Sequence, residues 1–170
     1  MALEPGTRLG LYEVIEPIGA PSDERYKASD TRSQQVVALK ILPPEFAAHS
    51  EIKARLERNT KTISSLNHPR ICPIVDVGHQ DPATDFVVSE FLEGETLTQL
   101  LARGPLELNQ ALQVVIAIAD SLDKAHRRGV VHGGLNPSVV LLTTAGPKLL
   151  DLGVANVGAG GDSPSTTSMA

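Results

Sequence analysis

Cysteine is nearly absent from this chain of 170 residues: Cys72 stands alone, so no internal disulfide can form. With apolar residues on either side it reads as a small buried hydrophobe, and a reducing, cytoplasmic setting is expected. Basic excess is also lacking. Fifteen Lys and Arg against 20 Asp and Glu leave a net charge of −5, which argues against nucleic acid or an anionic membrane as partner. No uninterrupted apolar run approaches membrane-spanning length, and the N-terminal M-A-L-E-P-G-T-R-L-G shows no charged-then-apolar signal pattern. No repeat recurs at solenoid spacing. His49, His68, His79 and His126 lack metal-ligand spacing with one another or with Cys72.

What remains, 41% apolar and 21% charged, is an ordinary globular composition, enough for one domain of moderate size. Residues 11–17, 24–28 and 36–42 are short β-branched or aromatic runs separated by Gly, Pro, Ser and Asp, which predicts an antiparallel meander. Residues 50–66 place Ile52, Leu56, Ile63 and Leu66 at helical spacing, with Ser50 as candidate cap. Two further strands are expected over 71–77 and 85–91, then a longer helix over 109–128 that stops at Gly129 behind Arg127 and Arg128. Short strands at 130–131, 139–142 and 147–150 finish the pattern. The fold class is therefore α+β, a five-stranded antiparallel sheet with one helix followed by a helical part.

Five motifs occur in fixed order along this pattern. They are V-V-A-L-K-I-L-P at 36–43, N-H-P at 67–69, F-V-V-S-E-F-L-E-G-E-T-L at 86–97, V-H-G-G-L-N-P-S-V-V-L-L at 131–142 and K-L-L-D-L-G-V-A at 148–155. In this order they resemble the protein kinase superfamily, and most closely the bacterial serine/threonine kinases. The resemblance implies a small lobe and hinge over 11–92 after an N-terminal extension 1–10. It further implies a partial large lobe over 93–155, and a disordered activation-loop-like tail over 156–170. It places Lys40 where the α- and β-phosphates lie, Asp151 as a Mg²⁺ ligand, Ala38 and Leu141 on either side of adenine, and the backbone of Glu90 and Leu92 at the hinge. Ile63, Ile74, His132 and Leu152 match the four-residue spine that links the lobes, which makes His132 a packing residue.

The chemistry of the family looks lost. Where H-R-D-L-K-P-x-N is expected, Gly133 replaces arginine, Gly134 the aspartate that orients the attacking hydroxyl, Asn136 the lysine that steadies the γ-phosphate and Val139 the asparagine that holds a second Mg²⁺. In the glycine-rich loop only Gly19 matches. Pro21 removes a donor, Asp23 adds negative charge, and Arg25 takes the place of the valine that covers adenine. Asn59 stands where helix C carries the glutamate partner of Lys40, and Glu57 lies roughly 200° round the helix from it. Lys40 is thus expected to lack a partner. The acidic residues Glu90, Glu93 and Glu95 read as a solvated face.

The resemblance therefore implies a pseudokinase, a binding or regulatory module requiring no cofactor and holding ATP and Mg²⁺ weakly if at all. Two alternatives stay open: a residual ATP-dependent kinase using Lys40 and Asp151, and a truncated kinase product without independent function. The run Val114 to Ala119 puts apolar side chains on every side of helix 109–128. In a shortened large lobe, Val114, Ile118 and Leu122 are expected to expose an apolar strip for a protein partner or for self-association, with no contact to nucleic acid or membrane.

Overall fold

Alternation in the first strands decides how the sheet folds. In β4, Val36–Ile41, Val37 and Leu39 are buried on one face while Ala38 and Lys40 point to the other. In β3, Arg25–Asp30, Tyr26 and Ala28 are buried and Arg25 and Lys27 share the face of Lys40. The computed structural model describes residues 3–19, 23–44, 50–81 and 84–154. The expectations placed on Pro21, His49, Ala155 and the tail 156–170 lie outside these residues, as do those on the side chains of Ser50 and Ile52.

The strands β1 (Arg8–Leu9), β2 (Tyr12–Ile18), β3, β4, β5 (Ile74–Asp81) and β6 (Thr84–Glu90) form one sheet in the order β1-β2-β3-β4-β6-β5, every pair antiparallel. All five expected strands are present. The sixth, β1, is two residues long and lies within the stretch read as an N-terminal extension. It pairs Arg8 with Glu13 and Leu9 with Tyr12, and it buries Leu9. β6 is apolar on both faces because both are covered. Phe86 and Val88 pack with Tyr12, Val14, Tyr26, Val37 and Leu39, whereas Val87 joins a second cluster beneath helix α1, Ser50–Ser64. Tyr12 meets Phe86 edge to face at 6.1 Å between centroids. Gly78 is required here, since a Cβ at that position would sit 2.1 Å from the Phe86 ring.

Beyond the sheet come β7 (Glu95–Thr96), α2 (Leu97–Leu101), α3 (Leu108–His126), a 3-10 turn at Pro137–Val139, β8 (Val140–Thr143) and β9 (Gly146–Leu149). β7, β8 and β9 make a small antiparallel sheet. Thr96 and Gln99 cap α2 reciprocally. The second apolar cluster joins Leu56 and Ile63 of α1, and Leu66 just beyond it, to Val114 and Ala125 of α3 and to Val140, Leu149 and Leu152, so the same core runs through both parts. Residues 130–131, expected as a strand, are not one.

Helix α3 corrects the expected apolar strip. Val114, Ala117, Ser121 and Ala125 form its buried stripe, and Ile118 and Leu122 pack against the core. The exposed apolar side chains are Leu108, Leu112, Val115 and Ile116, the last at 66%. A helix apolar all round still has only one face toward its own core, and the register of the polar neighbours does not say which.

Candidate functional site

A cavity of about 360 Å³ lies between the two sheets. Its lining includes Gly19 at the end of β2, Ala38 and Lys40 on β4, Leu92 beyond β6 and Leu141 on β8, with Asp151 at the far end. Every position assigned to nucleotide from the sequence, Glu90 included, falls on this one lining. The apolar end is walled by Ala38, Leu92, Leu141 and the Phe91 ring, above which Lys27 Nζ stands 4.9 Å from the centroid. Behind it Cys72 is buried, and desolvation pushes its thiol up to about 12, so it remains a protonated packing group. Its Sγ lies 3.5 Å from the carbonyl oxygen of Glu90.

The polar end differs from the expectation. Lys40 Nζ lies 2.5 Å from Asp151 Oδ2, so Lys40 does have an ion-pair partner. Arg25, which stands where a valine covers adenine in the family, sends Nη2 to the same oxygen. All three side chains are largely withdrawn from water, with 12% of Arg25, 26% of Lys40 and 13% of Asp151 exposed. The β3–β4 register explains the arrangement. Arg25 and Lys40 are directly opposite on antiparallel strands. Like charges so placed repel, and a carboxylate between them turns that repulsion into two attractions. Asp151 reaches them from a left-handed backbone with φ +54°. Arg25 Nε is buried without a hydrogen-bond partner.

Asn59 explains why Lys40 is free to do this. Its Nδ2 donates to the carbonyl of Gly153 at 3.2 Å, tying α1 to the D-L-G segment. An uncharged amide at that position offers Lys40 no competing charge. α1 is held to the sheet elsewhere, by Lys53 Nζ 3.2 Å from Oδ2 of the buried Asp85, whose Oδ1 meets His79 Nδ1. The spine residues Ile63, Ile74, His132 and Leu152 are all buried.

In the loop 131–139 the polar groups serve the backbone. His132 is 2% exposed; Nε2 lies 3.0 Å from Leu150 O, and the Gly134 N–H donates to Nδ1 at 3.3 Å. This pattern suits the neutral ring with its proton on Nε2, and burial accordingly holds its pKa below the usual histidine value. Gly133 adopts φ +74°, a conformation glycine takes without strain. Asn136 is used locally. Its Oδ1 accepts from the N–H and hydroxyl of Ser138 at 2.8 and 2.6 Å, capping the 3-10 turn, while Nδ2 donates to Gly134 O at 3.0 Å. Val139 is buried.

Mg²⁺ needs open oxygen ligands in near-octahedral array. Here Oδ2 of Asp151 already carries two cations, and Val139 replaces a second ligand. Among the described residues no cluster of three His, Cys, Asp or Glu could hold a metal. As arranged, these side chains do not fit Mg²⁺. The acidic rim also departs from a bare solvated face at one place: Arg103 grips Glu95 through two bonds of 2.6 and 2.8 Å, which holds that carboxyl below its usual range.

Two lobes, a cleft between them and a loop of kinase pattern define the class, and comparison agrees. The sequence pattern of the protein kinase domain matches residues 12–169, and the chain belongs to that family. It is 35% identical over 153 residues to the serine/threonine-protein kinase PknD of Mycobacterium tuberculosis, covering 88% of this chain and 23% of that protein. With PrkC of Bacillus subtilis it shares 34% over 149 residues, covering 86% and 23%. A crystal structure of the M. tuberculosis PknI kinase domain superposes with a TM-score of 0.80 at 30% identity, covering 95% of this chain and 69% of that one. The chain thus spans about a quarter of the length of these curated relatives. Among the described residues no helix is long and apolar enough to cross a membrane.

Proposed function

We propose that this serine/threonine-kinase-like domain is a pseudokinase, a regulatory binding module that does not transfer phosphate and holds ATP weakly. The observation that carries the reading is Gly134 at the position of the hydroxyl-orienting aspartate, with its N–H turned to His132. Asn136 and Val139, at two further catalytic positions, are spent on a turn and on the core. Positioning and electrostatic stabilisation supply most of the rate in phosphoryl transfer, and these residues act as a unit, so their joint loss leaves no residue to carry the reaction.

The partner of such a module is proposed to be another protein, or a second copy of the chain, seated on the exposed face of helix 109–128 around Leu112, Val115 and Ile116. Light scattering at rising concentration, repeated with Val115→Glu, reads self-association directly.

The test of inactivity is incubation of the purified chain with radiolabelled ATP, Mg²⁺ and a generic basic protein. No label above a Lys40→Ala control is expected. Labelling that depends on Lys40 would establish the residual-kinase reading instead.

A further inference from the structure

We infer that the guanidinium of Arg25 takes the place of a divalent cation in this cleft, so that the pocket accepts its ligand without metal. The ligand class is a flat heterocycle of nucleoside type carrying little or no charge. This deepens the binding-module reading and rests on it.

The argument begins with one oxygen. Oδ2 of Asp151 receives both Arg25 Nη2 and Lys40 Nζ, inside a cleft where each side chain is at least about three-quarters withdrawn from water. A divalent cation at that carboxylate would bring a double positive charge within a few ångströms of two fixed single charges. At low effective dielectric that repulsion is large. The metal would therefore have to expel Arg25, which the strand pairing resists. The backbone of Arg25, the first residue of β3, is paired with Lys40 on one side and Ile18 on the other. No second acidic ligand is gained from the loop 131–139, where Val139 is buried and Asn136 is already bonded at both ends of its amide.

Charge balance then selects the ligand. Arg25, Lys40 and Asp151 sum to one positive charge, Asp23 brings that to zero, and Glu90 and Glu93 on the same lining leave two negative charges over. A polyphosphate entering without metal would meet no net attraction, whereas an uncharged nucleoside loses nothing. The opposite end supplies what such a ligand needs: apolar walls at Ala38, Leu92 and Leu141, and backbone polar groups along residues 90–92.

The experiment is calorimetric titration of the full chain with adenosine, with ATP in EDTA and with ATP in Mg²⁺, for the wild type, Arg25→Met and Arg25→Lys. For the wild type, adenosine is expected to bind, and Mg²⁺ is expected to change the ATP affinity by less than about twofold. Arg25→Met leaves Asp151 with Lys40 as its one cation, and its ATP affinity should rise about tenfold or more on adding Mg²⁺. Arg25→Lys keeps the second cation beside Asp151 and should stay indifferent to the metal. Wild-type binding that requires Mg²⁺, or no adenosine binding at all, overturns the inference. So does an Arg25→Met protein that binds adenosine normally yet gains nothing from Mg²⁺. If Arg25→Met fails to fold, the wild-type series decides alone. A metal-dependent ATP complex without phosphate transfer would refute this inference and leave the inactive-kinase reading standing; labelling in the transfer assay would overturn both.

Discussion

The two halves of the cleft depart from the kinase motif pattern in different ways. At the β3–β4 end the charged groups Lys40 and Asp151 are kept, but a third, Arg25, binds them into a closed set. In the loop 131–139 the charged groups are gone, and the remaining polar atoms of His132 and Asn136 satisfy nearby backbone. The first half still has electrostatic energy to lose, whereas the second has become ordinary structure. Substitution in the two halves should therefore read out differently.

The largest effect is expected at Asp151. Asp151→Ala leaves Arg25 and Lys40 facing each other in a poorly hydrated cleft, and removing one partner from a buried ion pair typically costs about 3–5 kcal/mol. Urea unfolding measures this, and a change below about 1 kcal/mol would mean the set is solvated in practice. By contrast, Gly134→Asp in the loop should leave phosphate transfer undetectable, because restoring one group of a unit restores little.

Next in size is Lys53→Met. It strips the cation from Asp85, which is 2% exposed, and should destabilise by about 2–3 kcal/mol, His79 remaining as partial compensation. The loss should appear in hydrogen exchange of α1 first, since this pair and the Asn59–Gly153 bond tie the helix to its surroundings.

The core arrangement was legible from the residues because each element carries its own signal. Alternation in β4 sorts Val37 and Leu39 from Ala38 and Lys40, and the spacing of Leu56 and Ile63 orients α1. What escaped was whatever depends on partners distant in sequence. Asp151 lies 111 residues from Lys40 and 126 from Arg25, so neither pair has a local signature. One clue was available: the hairpin register sets Arg25 opposite Lys40, and two facing cations imply an anion between them. β1 was missed because two residues carry no periodicity, and the wrong face of α3 was chosen because an all-apolar stretch has no phase.

A smaller, pH-dependent effect belongs to His132. Burial lowers its folded pKa below the unfolded value near 6.5, so the unfolded chain takes up the proton first as pH falls. The contribution of the neutral ring is complete above pH 6.5 and is lost as pH drops from there through the folded pKa. Unfolding free energy should therefore decline on acidification in this window, and His132→Leu should flatten that part of the profile.

The smallest effect is expected at Glu95→Gln. Its pair with Arg103 lies at the surface, so any loss should vanish in high salt within the error of a melting experiment.

The most direct test of the rewired cleft is a double-mutant cycle between Arg25→Met and Asp151→Asn, read by urea unfolding. If Asp151 serves as counter-ion to Arg25, the two changes couple by about 2 kcal/mol, and the double variant is less damaged than the singles added together. Strict additivity would contradict the account and return Asp151 to the role of a waiting metal ligand.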